Sequence, residues 1–135
     1  MRVVFVDTSA WVALNSKRDA LHTSAIQLNR QLLSEGCRYV TSNFVIDETL
    51  TTIRMQVSHA AAVDFGERLR QSKVIDVVHV DDEIEDKAWD IFKSYADKDF
   101  SFTDCTSFVI MQLLDLTDAL THDHHFVQFG FAALL

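Results

Sequence analysis

Short apolar runs alternate with longer segments whose apolar residues recur every three or four positions, and this alternation continues from end to end. Val3-Val4-Phe5-Val6 is an unbroken apolar run that stops at an acid, Asp7, and reads as a buried strand. Ser9 to Leu14 reads as a brief helix, and Asn15 to Asp19 as a polar turn. From about Ala20 to Glu35, Leu21, Ala25, Leu28, Leu32 and Leu33 fall at helical spacing, and Gly36 stops that helix. Arg38 to Thr41 is a second short strand, after which Ser42 is placed to cap a helix carrying Phe44, Val45, Ile46, Leu50, Ile53 and Val57. A Ser-His break leads into a helix over Ala60 to Arg70.

Val74 to Val80 is the third strand, and Asp81 caps a helix whose apolar stripe is Ile84, Ala88, Ile91, Phe92 and Tyr95. Its first-turn acids, Asp82, Glu83, Glu85 and Asp86, suit a solvated helix start facing the helix dipole. After a connector at Phe100 to Phe102, Ser101 or Thr103 caps a strongly apolar helix running to Leu116, which should be central. Ala119 to Thr121 is a fourth strand, and Phe129 to Leu135 is placed as a last one. Strands and helices in this alternation predict an α/β fold, with a parallel or mostly parallel sheet covered on both faces. Zero prolines and three glycines leave no linker in 135 residues, so one domain over residues 1–135 is expected.

Charge narrows the functional classes. With 12 basic against 20 acidic residues the formal net charge is −8, which argues against a broad electrostatic grip on DNA or a membrane surface. Such a balance still admits a nucleic-acid enzyme whose acids gather around a metal. Lys17, Arg18, Arg54, Arg68, Arg70 and Lys73 could frame a substrate groove, although a solvated face accounts for most of them. Cys37 and Cys105 lack metal-ligand spacing and read as reduced, half-buried hydrophobes. No apolar run approaches the ~20 residues of a membrane span, and a cytoplasmic protein is expected.

Four acids fall at strand exits or in the helices that follow them: Asp7, Glu48, Asp104 and Asp123. Ligands in parallel α/β sheets bind beyond the carboxyl ends of the strands. Glu48 between Ile46 and Leu50, Asp104 between Phe102 and Phe108, and Asp123 ahead of Phe126 are acids in apolar company, hard to explain as surface. Burying several carboxylates together is costly unless a cation neutralises them. All-oxygen ligation suits Mg²⁺ or Mn²⁺, which can activate water for displacement at phosphorus. His122, His124 and His125 raise a competing Zn²⁺ reading. Their spacing does not bring all three to one face and no cysteine is near, so surface histidines are expected. His22 is expected at the surface or in a capping role, and Trp11 and Trp89 in the core.

Asp7-Thr8-Ser9, Val45-Ile46-Asp47-Glu48-Thr49, Ser101-Phe102-Thr103-Asp104-Cys105 and Thr121-His122-Asp123-His124-His125-Phe126 resemble, in order and approximate spacing, the four acidic motifs of PIN domains. By pattern the chain is similar to the VapC-type ribonuclease toxins of type II toxin–antitoxin systems. The resemblance implies a three-layer α/β/α sandwich and a Mg²⁺- or Mn²⁺-dependent endoribonuclease acting on RNA. It implies that Asp7, Glu48, Asp104 and Asp123 are the catalytic and metal-holding acids, supported by the hydroxyls of Thr8, Ser9 and Thr103. It also implies a cognate antitoxin and a homodimer. Asp47 stands beside Glu48, so the choice between them rests on the family's Glu-Thr pattern, and Asp99 is a further candidate five residues before Asp104.

Other classes place acids at strand ends too. A phosphorelay receiver needs a phospho-accepting Asp after the third strand and a late Lys, and no lysine follows Lys98. A haloacid-dehalogenase-like enzyme needs Asp-x-Asp after the first strand, where this chain has Asp7-Thr8-Ser9. A non-toxin PIN nuclease and a catalytically silent PIN-fold binding module stay open beside the toxin.

Overall fold

Strand β1 (Val3–Val6) occupies the centre of a five-stranded sheet, and the chain then builds outward in two directions. The computed structural model describes residues 1–135. Helices α1 (Thr8–Asn15) and α2 (His22–Ser34) lead to β2 (Arg38–Ser42). Helices α3 (Asn43–Gln56) and α4 (His59–Gln71) lead to β3 (Ile75–Val78) at one edge. Helices α5 (Asp82–Ser94) and α6 (Phe102–Leu113) return the chain to β4 (Asp118–Leu120) on the far side of β1. A short α7 (His124–Phe129) then precedes β5 (Ala132–Ala133). The order is β3-β2-β1-β4-β5 and every pairing is parallel, with Phe5 in register with Val40 on one side and Ala119 on the other.

That strand order dictates the layers. Right-handed crossovers put α1 to α4 on one face and, once the winding reverses, α5 to α7 on the other. Packing largely follows this division: α1 lies against α2 and α3, and α3 against α4, while α6 lies against α5 and α7; α3 and α6 also meet across it, with Phe44 against Phe102. Val4, Phe5 and Val6 are fully buried although successive side chains point to opposite faces, as a sheet covered on both sides requires. The result is the expected α/β/α sandwich. The winding reverses between β1 and β4, and a crevice opens beyond their carboxyl ends.

Helix starts are encoded locally. The Ser42 hydroxyl accepts from the Val45 amide at 3.1 Å, Ser58 from Ala61 at 3.0 Å and the Asp81 carboxylate from Ile84 at 2.9 Å. Ser101 and Asp104 form a reciprocal capping box, so Ser101 and not Thr103 starts α6. Gly36, at φ +79°, ends the α2 turn in the left-handed region.

Several expectations are corrected. The third strand is shorter, Ile75–Val78, because it is an edge strand paired on one side only. The segment after β4 holds α7, where only a tail strand was expected; six residues are too few for helical periodicity to register. Trp89 is 52% exposed and stacks on Phe92 at the surface of α5, while Trp11 is buried as expected. Cys37 and Cys105 are fully buried free thiols, not half-buried ones. No helix is long and apolar enough to cross a membrane.

Candidate active site

The crevice beyond β1 and β4 is a cleft of about 520 Å³, and its walls carry Asp7, Glu48, Asp99, Asp104 and Asp123. Both helical layers contribute. Asp7 leaves the end of β1 and Glu48 projects from α3, whereas Asp104 comes from the first turn of α6 and Asp123 from the start of α7. On α3, Glu48, Thr52 and Gln56 line the cleft at four-residue intervals, one stripe of that helix. No lysine or arginine lines it.

Asp7 is the deepest acid, 4% exposed. It occupies the N-cap position of α1 without capping it, because its carboxylate is engaged from the side. The Thr121 hydroxyl donates to Asp7 Oδ2 at 3.0 Å. That commits the Thr121 proton, so the Ser9 hydroxyl, 3.0 Å from Thr121 Oγ1, is the donor in their contact and accepts in turn from the His122 amide at 3.0 Å. A directed relay thus ends on one oxygen of Asp7. Thr121 Oγ1 also accepts from the Asp123 amide, which ties the exits of β1 and β4 together. Burial pushes the Asp7 carboxyl up to about 7; the charges of Asp104 and Asp123 push the same way, against the Thr8 amide and the Thr121 hydroxyl.

Asp104, 7% exposed, is raised above the ordinary carboxylate range as well, chiefly by burial and further by Asp123. The Ser101 amide and His125 hold it down in part. His125 Nδ1 lies 2.9 Å from Asp104 Oδ2 and 3.1 Å from Asp123 Oδ1. Its ring rests edge-on against Phe100, which belongs to a buried aromatic pile with Phe108 and Phe129. Asp123 caps α7 by accepting from the His125 amide at 2.9 Å.

The sequence expectations divide here. Asp7, Asp104 and Asp123 are drawn together with buried or half-buried carboxylates, and Asp99 lines the same cleft from an exposed position. Glu48 reaches the cleft but is exposed: its apolar neighbours Ile46 and Leu50 point elsewhere on α3, and the acid is not buried by them. Thr8 and Ser9 line the cleft. Thr103 does not; it lines an adjoining hollow with Asp47 and Glu48, and its carbonyl receives the Thr106 and Ser107 hydroxyls. Of the histidines, His122 and His124 are exposed, but His125 is a half-buried partner of two acids, its side chain 17% exposed. His22 is tied to the carbonyl of Ala13, its Nδ1 2.7 Å from that oxygen. Thr121 and His125 are the residues that the sequence left without a role: Asp7 is 114 positions from Thr121, and Asp104 is 21 from His125.

The donor set suits a hard divalent cation. Asp7 and Asp104 supply oxygens whose burial disfavours charge unless a cation answers it, and the half-buried Asp123 adds a third carboxylate beside them. The Thr8 hydroxyl, buried in the cleft wall, has no hydrogen-bond partner in the protein and is available to an ordered water or an ion's hydration shell. Asp123, His124 and His125 also place one ligand atom each within 4.8 Å. Because His125 Nδ1 is committed to Asp104, all-oxygen ligation describes the cleft better than an imidazole site.

The family model described as PIN domain matches residues 4–132. The 23S rRNA-specific endonuclease VapC20 of Mycobacterium tuberculosis is 36% identical over 129 residues, covering 96% of this chain and 95% of the relative. A VapC ribonuclease of Archaeoglobus fulgidus is 29% identical over 123 residues, 90% and 77% of the two chains. Among solved structures, M. tuberculosis VapC20, titled a sarcin–ricin loop cleaving toxin, superposes with a TM-score of 0.87 at 33% identity over 97% of this chain and 98% of its own. VapBC2 of Rickettsia felis, solved bound to a promoter DNA fragment, shares the fold with a TM-score of 0.72 at 11% identity, over 98% and 97%.

Proposed function

The chain belongs to the PIN domain family, and from that premise we propose that it is a Mg²⁺- or Mn²⁺-dependent endoribonuclease, the toxin of a type II toxin–antitoxin pair, hydrolysing a phosphodiester bond of 23S rRNA. One observation carries the reading: carboxylates from both helical layers converge on one cleft at the point where the sheet reverses its winding. The substrate assignment is supported by the names of the VapC20 relative and its structure, which match almost the whole chain.

Asp7, Asp104 and Asp123 would hold the cation, with Glu48 at the exposed rim and Asp99 beside it. A divalent ion held there would supply charge neutralisation at the phosphate and make water a stronger nucleophile. The protein's own part is positional. Thr121 and Ser9 fix Asp7, His125 and the Ser101 amide fix Asp104, and the α7 cap fixes Asp123. Glu48, free of any side-chain partner in the protein, is placed to accept a proton from the attacking water or to orient it.

Asp7, Asp19, Glu48, Asp99, Asp104 and Asp123, gathered in one cleft, form a strong cation trap. The cognate antitoxin is proposed to inhibit by inserting a basic side chain there. Homodimerisation belongs to the same proposal, and the exposed Trp89–Phe92 stack offers an apolar surface for it. With ribosomal RNA as its substrate, the protein would work in the cytoplasm.

Purified protein incubated with 23S rRNA and Mg²⁺ or Mn²⁺ should give a discrete cut that EDTA and Asp7→Asn both abolish. An uncut RNA in both metals, or equal cutting by Asp7→Asn, overturns the assignment.

A further inference from the structure

Half of the basic side chains are spoken for. Arg2, Arg38, Arg68, Lys87, Lys93 and Lys98 each lie within 4.0 Å of a carboxylate, which leaves Lys17, Arg18, Arg30, Arg54, Arg70 and Lys73 without an acidic partner among the twelve. Any polyanion approaching the cleft meets Asp7, Asp19, Glu48, Asp99, Asp104 and Asp123, and no lysine or arginine in the same lining. Its remaining phosphates must therefore find cations next door.

Next to the cleft lies a hollow of about 360 Å³ lined by Asn15, Ser16, Lys17, Arg18, Gln56 and Val57. Gln56 borders both, as the last member of the α3 stripe that begins at Glu48 and continues through Thr52. Lys17 and Arg18 are thus the unpartnered cations adjoining the acids; Arg54 and Arg70 face a different groove, between α3 and α4.

Their backbone is held firmly. The Asp19 amide donates to the Ser16 carbonyl at 3.1 Å, and the Leu21 amide to Asp19 Oδ1 at 2.9 Å. His22 Nδ1 donates to the Ala13 carbonyl at 2.7 Å, stapling the start of α2 to α1. Arg68 on α4 donates to Asn15 Oδ1 at 2.8 Å. Two solvated cations thus stand on a rigid turn, so that less ordering accompanies an anion contact.

We propose that Lys17 and Arg18, with Gln56 between them and the acids, form a phosphate-gripping arm that holds the RNA backbone one step beyond the scissile bond. The proposal rests on the ribonuclease reading and adds to it the residues that position the strand. Contacts of this kind are independent of base identity; they set register and affinity.

The experiment measures binding of a fluorescently labelled 23S rRNA hairpin by anisotropy across a salt series, in the cleavage-silenced Asp7→Asn background, with KM and kcat measured in the otherwise native protein. The double variant Lys17→Ala/Arg18→Ala should flatten the slope of log K against log salt by about 2 and weaken binding at least tenfold at low salt. KM should rise more than kcat falls. The charge-keeping pair Lys17→Arg/Arg18→Lys should restore most of the affinity, and Arg30→Ala, which removes an unpartnered charge outside both hollows, should behave as the parent. An unchanged slope and KM in the double variant, with the parent still cutting, overturns the arm and leaves the nuclease standing. A slope lost equally in Arg30→Ala reduces the effect to net charge and overturns it too. If the native protein neither binds nor cuts the RNA, the ribonuclease reading fails and the arm with it.

Discussion

His125 Nδ1 stands 2.9 Å from Asp104 Oδ2 and 3.1 Å from Asp123 Oδ1, so one imidazole edge bridges the two acids that α6 and α7 bring to the cleft. A carboxylate poised to meet a metal keeps its orientation through partners of this kind, and their removal typically costs 10–100-fold in metal affinity or activity. His125→Ala is expected to lower cleavage by about that factor and to raise the Mn²⁺ concentration needed for half-maximal rate. His125→Asn, whose amide nitrogen can replace Nδ1, should recover part of the loss. A metal titration of the cleavage rate decides; equal effects of Ala and Asn on rate and metal demand would argue for bulk packing instead.

Asp7 makes stability depend on pH in a defined direction. Its folded-state carboxyl titrates at about 7, above the ordinary 3.8, so between those values the folded chain keeps a proton that the unfolded chain releases. Metal-free stability is therefore expected to fall as pH rises from about 4 to 7, by something on the order of 2–4 kcal/mol, and to level off above that. Thermal unfolding in EDTA at pH 5 and pH 8 measures it. Mg²⁺ or Mn²⁺ should raise Tm much more at pH 8 than at pH 5, because the cation replaces the proton.

The same residue separates stability from activity. Asp7→Asn removes the buried charge while leaving an oxygen to accept from Thr121. In EDTA at pH 8 the variant is expected to melt above the parent, with a flatter pH profile, although its cleavage falls by 10³-fold or more. A variant that melts below the parent at pH 8 would show that Asp7 is stabilised by contacts the ionised form needs.

Glu48 and Asp47 are adjacent, exposed acids on α3, but Glu48 lines the main cleft and Asp47 only the adjoining hollow. Neither should matter to folding, so Glu48→Gln and Asp47→Asn should each unfold within about 0.5 kcal/mol of the parent. Cleavage should drop at least a hundredfold for Glu48→Gln and less than threefold for Asp47→Asn. Comparison of the two rates assigns the second acid directly.

Beneath the site, Phe108 stacks on Phe129 at 4.5 Å and meets Phe126 and Phe100 edge-on. Phe108→Ala should cost about 3–5 kcal/mol in denaturant unfolding, since a fully buried ring leaves a cavity. Phe108→Leu, which keeps most of the volume, should cost less than half of that.

Much was legible in the order of residues because its causes are local. Strand β1 announced itself as four apolar residues halted by an acid, and Ser42 and Asp81 marked helix starts through bonds spanning three residues, with Ser101 one of two candidates for the start of α6. The alternation of short and periodic segments implied a parallel sheet covered on both faces, and a parallel sheet places its acids at one edge. Asp7, Glu48, Asp104 and Asp123 could be listed together for that reason.

What tertiary structure alone decided is how each of those acids is held. The hydroxyl that binds Asp7 comes from Thr121, separated from it by 114 positions, and the imidazole on Asp104 comes from 21 positions away. Whether Glu48 is buried depends on where α3 meets the cleft, and whether Trp89 is core depends on which side of α5 has a neighbour. Periodicity and capping report only on the few residues either side of a position. Burial and partnership are set by the winding reversal between β1 and β4, which joins the two ends of the chain at one crevice.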